Sequence, residues 1–186
     1  MARIGLDNFL IGVLTETGET ATYGAATKPG KAISCNVSIT NNDASLYADN
    51  GLAESDKSFQ SGTVTMGIDD DDLALQALIL GCTLSAGGEL TRKDTDQAPY
   101  VGFGRIVTKQ VNNSYKYVVK FLSKVKFGMP SSDENTKGES VEYGTTEYEG
   151  SISKLADGTW SKEEVFDTKA AAKTYLESLF GTTPSV

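Results

Sequence analysis

Residues 31–40 alternate without a break: Ile33, Cys35, Val37 and Ile39 fall on one side, and Ser34, Asn36, Ser38 and Thr40 on the other. A period of two is that of a strand with one buried face. In residues 59–68, Val64, Met66 and Ile68 keep one phase while Phe59 has the opposite parity, so a bulge near Gly62 is expected to return Phe59 to the core. Two longer runs, 100–111 and 115–127, flank Asn112, Asn113 and Ser114, and asparagine's tolerance of left-handed backbone predicts a hairpin there. In the returning run, Tyr115, Tyr117, Val119, Phe121, Val125 and Phe127 share one face, expected to be core. Lys116, Lys120, Lys124 and Lys126 share the other, expected to be wet. Residues 140–155 and 159–166 flank Asp157-Gly158, a turn signal that predicts a further strand pair.

Two stretches leave this period. The acids at 69–72 suit the unpaired N–H groups at the start of a helix running through Leu73, Leu75, Leu78 and Ile79 to Gly81. A second helix is predicted from a cap at Asp167 or Thr168 to Phe180, with Gly181 after it. Ala172, Tyr175, Leu176, Leu179 and Phe180 form its apolar face, expected to dock on the outer sheet. Polar stretches at 15–30, 41–58 and 129–139 are expected as long loops, which usually carry contacts or function. The expected fold is mainly β with two α-helices: an antiparallel β-sandwich or barrel-like sheet pair, with one central and one C-terminal helix.

The 186 residues fit a single domain, 1–186, and 39% hydrophobic with 23% charged residues is a globular balance. Residues 1–12 have too short an apolar patch for a secretory signal, and the apolar run 73–80 is too short to cross a bilayer. Synthesis in a cytoplasm, with no membrane partner, is the expectation. Cys35 and Cys82 make no disulfide framework and read as buried thiols.

The chain has no histidine, which removes the usual nucleophile–base pairs, histidine-ligated zinc and the commonest general base near neutral pH. An enzyme is not expected. A net charge of -8 argues against gripping nucleic acid, because affinity for phosphate needs clustered Lys and Arg. The charge is uneven. Residues 41–72 hold eight acids against Lys57, residues 131–149 hold six against Lys137, and residues 89–127 hold eight bases against three acids. That polarity suits head-to-tail association of identical copies, and a monomer with a solvated lysine face would show the same counts.

No cluster carries a recognisable chemistry. The four aspartates at 69–72 lack the alternating ligands, mid-loop glycine and terminal glutamate of a calcium loop, so helix capping explains them. In the run from Gly102 and Gly104, Val107 stands where a phosphate-binding loop needs its third glycine, and glycines in a strand mark close approach of a neighbour. Glu142, Glu147 and Glu149 have the residue type of a glycosidase pair but read better as a charged solvent or lumen face. The lysine row from Lys116 to Lys126 has no aromatic residues interleaved on its own face, as a nucleic-acid platform would. No metal and no cofactor is expected.

Four segments, taken in order, carry a resemblance. They are GKAISCNVSITNNDASLYADNGLAESDKSFQSGTVTMGIDD, APYVGFGRIVTK, GESVEYGTTEYEGSI and FDTKAAAKTYLESLF. Together they resemble the major tail proteins of siphophages that infect low-GC Gram-positive bacteria. The resemblance implies two packed antiparallel sheets with a helix alongside, and hexameric rings stacked into the tail tube of a virion. Neighbouring sheets would join into a β-barrel around the channel, consuming edges that otherwise template pairing. The implied partners are further copies of the chain, a tape-measure protein, and tail terminator and distal tail proteins, with genomic DNA passing through unbound. In that setting Asn41, Leu46, Tyr47, Asn50, Leu52 and Ser55 mark an assembly arm. Glu142, Glu147 and Glu149, with acids of the 43–56 loop, are candidates for an acidic channel wall, and the lysine row is expected away from it. The alternative is a secreted or surface β-sandwich module that binds a ligand; it would stay monomeric where a tube protein polymerises.

Overall fold

A computed structural model of the chain describes residues 2–48, 51–69, 72–112, 114–132 and 145–181. The protein is mainly β, with antiparallel pairing throughout and two helices. It opens with β1 (Ala2–Thr17), β2 (Thr20–Tyr23), β3 (Ala32–Asn41), the short pair β4 (Ala44–Ala48) and β5 (Gly51–Asp56), and β6 (Phe59–Ile68). Helix α1 (Leu73–Leu80) and a small pair, β7 (Thr83–Leu84) and β8 (Leu90–Thr91), follow. The second half holds β9 (Val101–Val111), β10 (Ser114–Phe127), β11 (Ser131–Ser132), β12 (Thr146–Ser153), β13 (Ser161–Phe166) and helix α2 (Lys169–Ser178).

Nine of these strands form one sheet in the order β2-β1-β9-β10-β12-β6-β3, with β11 added to β12 and β13 to β10. The sheet wraps on itself, so that β3 comes beside β1 with no ladder between them among the described residues. Inside the wrap lie Phe9 and Ile11 of β1, Val64, Met66 and Ile68 of β6, Val101 and Phe103 of β9, Leu122, Val125 and Phe127 of β10, and Tyr148 and Ile152 of β12. Each such side chain, fully buried, contributes about 1.5–3 kcal/mol. Helix α1 adds Leu75, Ile79 and Leu80 to this interior. Its start is fixed by Asp72, whose carboxylate accepts from the Ala74 N–H at 3.0 Å, and its end by Gly81 in the left-handed conformation at φ 71°. Asp69, by contrast, takes the Lys31 backbone N–H at 2.7 Å, tying the end of β6 to the start of β3.

A second apolar cluster sits on the outside. Ala172, Leu176 and Phe180 of the α2 segment pack on Ile106, Val119 and Phe121, as the helix periodicity predicts. Thr168 caps the helix through the Ala171 N–H at 3.3 Å. Glycines admit the helix closely: a Cβ on Gly12 would stand 2.6 Å from the Phe180 ring, and one on Gly104 would collide with Leu176 Cδ1.

Several expectations need correction. The apolar row of β10 does not face one core. Leu122 pairs with Phe103 but Val125 pairs with Val101, so one extra residue on β10 reverses the parity of all that follows. Val119 and Phe121 therefore lie under α2, Val125 and Phe127 lie inside the wrap, and Tyr115 is exposed. The same shift splits the lysine row. Lys120 falls on the inner side and pairs with Glu163, whereas Lys124 and Lys126 lie 4.6 and 5.3 Å over the Tyr100 ring.

The turn at Gly158, φ 85°, is present and closed by the Leu155 N–H donating to Thr159 O at 2.9 Å, but among the described residues β12 and β13 form no ladder with each other. β12 pairs with residues 124–127 of β10 and β13 with residues 117–122, so the two are successive pieces of one edge interrupted at 154–160. Ile33 is 49% exposed, because a register shift between Ala32 and Ser34 gives its inward place to Ala32. The bulge expected near Gly62 falls at Gln60, two residues earlier: Asn41 pairs with Phe59 and Thr40 with Ser61, and Phe59 reaches the core, stacked on Trp160 at 4.6 Å.

The stretches 15–30 and 41–58 are not plain loops but hold the β1–β2 turn and the β4–β5 pair, and 129–139 holds β11. Cys35 and Cys82 are free but only half-buried.

Candidate functional site

The outer side of β12, β6 and β3 is a second surface of the same sheet that no helix among the described residues covers. Alternation builds it. On β12, Thr146, Tyr148, Gly150 and Ile152 are buried while Glu147, Glu149 and Ser151 are exposed. The register then sets these residues beside matching ones on the next strands: Glu149 opposite Thr65 and Asn36, Ser151 opposite Thr63 and Ser38, and Glu147 opposite Gly67 and Ser34. The result is a shallow surface of Ser, Thr and Asn crossed by two carboxylates. None of the three strands contains Lys or Arg. Its basic border is Lys126, which pairs with Ser151 across β10. Lys124, the next lysine on that side, is neutralised by Glu16, whose carboxyl is held below its ordinary range first by the hydrogen bond from Lys124.

Beside this face projects the β4–β5 hairpin. Its base is closed by the Asn42 N–H donating to Ser58 O at 2.8 Å and by the exposed Lys57–Asp43 pair at 3.7 Å. Leu46 pairs with Glu54, Tyr47 with Leu52 and Ser45 with Ser55, and among the described residues β4 and β5 join no strand of the main sheet. Asn41 stands exposed at the root.

The residues singled out from the sequence fall on these two features. Glu147 and Glu149 share one face, and Leu46, Tyr47, Leu52 and Ser55 belong to one hairpin with Asn41 at the end of β3 before it, while Glu142 and Asn50 lie outside the described residues. What the sequence does not show is that the hairpin grows from two strands of this face, since β4 follows β3 and β5 leads into β6, while both acids come from β12.

Among the described residues no three His, Cys, Asp or Glu side chains are grouped so as to hold a metal ion, and no helix is long and apolar enough to cross a membrane. Among the perturbed groups, burial raises the Tyr23 phenol to about 12, and its hydroxyl donates to Ser123 O at 2.9 Å. This is a structural bond between β2 and β10.

No protein-family model matches the chain, and no curated protein matches it. Among solved structures it is similar to the cap that terminates the tube of the anti-feeding prophage, determined by cryo-EM. The two share 9% identity with a TM-score of 0.51, over 85% of this chain and 88% of that one. At this identity the likeness is one of fold.

Proposed function

We propose that the chain is a structural protein of a long-tailed bacteriophage: the major tail protein, which self-assembles into stacked hexameric rings around the channel through which DNA passes. The observation that carries this reading is the shared fold with a tube-terminating cap, since the four segments that resemble siphophage major tail proteins point to the same kind of assembly independently. The β12–β6–β3 face supports it. A wall of small hydroxyl and amide side chains with Glu147 and Glu149 offers no cation to phosphate, so a sliding duplex meets no salt-sensitive attraction to break. In this reading that face lines the channel, and Lys126 lies at the border with the next subunit. The β4–β5 hairpin is the arm that reaches a neighbouring subunit or ring. The tape-measure protein sets the length of the tube, and no catalysis or cofactor is involved.

A second reading is favoured by the neighbour's own role: a ring that ends a tube rather than extends it. Purified protein, concentrated and imaged in negative stain, separates the two. Filaments that lengthen with concentration support the major tail protein, single rings support a terminator, and monomers at every concentration refute both. Deleting residues 45–55 is expected to leave a folded chain that forms no tubes; tubes of normal length from that deletion refute the arm.

A further inference from the structure

At the seam where β3 approaches β1 without pairing among the described residues, the structure holds a half-open cavity of about 530 Å³. One wall is apolar: Cys35, Val37 and Ile39 of β3 are only half-buried there. The opposite wall carries a cross-strand row on the inner side of the sheet, with Arg105 of β9 beside Lys120 of β10 and Lys120 beside Glu163 of β13. Arg3 completes the charged lining.

The charges do not balance. Arg3, Arg105 and Lys120 stand against Glu163, and Glu163 is already paired with Lys120. Arg105 is 8% exposed and its Nη1 has no hydrogen-bond partner. Its guanidinium lies 5.8 Å from the Phe103 ring, a contact that gives Nη1 no acceptor. Burial also pulls Arg105 below its ordinary range, and nearby Cys35 and Glu163 offset that only in part. A buried guanidinium left unpaired is strongly unfavourable, and its planar fork suits a carboxylate.

We infer that this cavity receives an aspartate or glutamate side chain from a second copy of the chain, with its carboxylate on Arg105 and Arg3 and its aliphatic stem against Val37 and Ile39. Two features select this occupant. The mixed lining fits a carboxylate on a short hydrocarbon stem better than a phosphate or sulfate, which would leave the apolar wall bare. The chain itself is rich in such groups: Asp and Glu number 25 against 17 Lys and Arg, and residues 41–72 hold eight acids against one base. The inference rests on the proposal that the chain self-assembles, and it names one contact of that assembly.

The test compares wild type with Arg105→Met, which keeps the volume and removes the charge, by sedimentation velocity across a concentration series and by thermal melting of the dilute monomer. With the counter-charge supplied by a neighbour, the Arg105→Met monomer melts at or above the wild-type temperature. It should also need about 30-fold or more protein to assemble, as expected when one partner of a charge pair buried across an interface is truncated. Arg3→Gln, at an exposed position, should weaken assembly less and reduce its salt dependence. An Arg105→Met monomer that melts lower would show that Arg105 is satisfied within its own subunit. Assembly of Arg105→Met at the wild-type concentration would show that the cavity holds only water. Either result overturns the inference, and assembly unchanged in Arg3→Gln does so without relying on the buried variant. A wild-type chain that never leaves the monomer refutes the self-assembly reading and removes the donor with it, an outcome distinct from wild type and variant assembling alike.

Discussion

The two outer surfaces of the wrapped sheet differ in how the chain treats them. Over β9 and β10 the outward positions are Ile106, Val119 and Phe121, and the α2 segment closes them with Ala172, Leu176 and Phe180. Over β12, β6 and β3 the outward positions are Ser, Thr, Asn and Glu, and no element of the described chain lies on them. Both surfaces arise from the same strict alternation. The difference lies in which residues occupy the outward parity, and it separates a face completed within the subunit from one left to solvent, a channel or another chain.

Truncation should expose that difference most strongly at Leu176, which is fully buried between α2 and the sheet. Leu176→Ala is expected to cost about 2–5 kcal/mol in chemical denaturation. An unchanged transition would mean that the helix closes nothing. A smaller, pH-dependent effect belongs to Tyr23, under the same helix-covered side. Its phenol titrates near 10 when unfolded and is raised by burial to about 12, so the folded state holds the proton more tightly. The stability this brings is complete below pH 10 and is lost as pH rises toward 12. The melting temperature of wild type should therefore fall more steeply over that window than that of Tyr23→Phe, and parallel curves would contradict the assignment. At the interior end, Asp72→Ala removes the cap of α1 and should cost about 1 kcal/mol. The bare face should respond least. Thr63→Ala and Glu149→Gln, both at exposed sites, are expected to change stability by no more than about 0.5 kcal/mol. A larger loss in either would show that this face is part of the subunit's own packing.

How much of this was legible follows from where alternation is unbroken. The inward row of β6 and the exposed parity of Glu147 and Glu149 were readable because each keeps one phase over several residues, and the β9–β10 turn and both helix caps because their turn and capping residues are local signals. β1 was not. Its register shifts twice against β9, and Asn8 adopts φ 52°, so Phe9 and Ile11 do not fall in step with the residues before them. In β10 a single extra residue turned one apparent apolar face into contributions to two cores, a change that no count of hydrophobic residues shows. The half-buried and buried fates of Lys124 and Arg105 depend on which strand crosses which, and Arg105 was visible only as one of several bases in residues 89–127. Local period records the elements well; bulges, and the closure of β3 toward β1, are long-range outcomes.

The central claim is that the β12–β6–β3 face lines the channel of a tube made from this chain. A cryo-EM reconstruction of tubes grown from the purified protein, with the inward side chains counted by sign, tests it most directly. The account predicts a wall presenting Asn36, Ser38, Thr63, Thr65, Glu147 and Glu149, with Lys116, Lys120, Lys124 and Lys126 away from the channel; a wall formed by those lysines, or by the α2 side of the sheet, would contradict it.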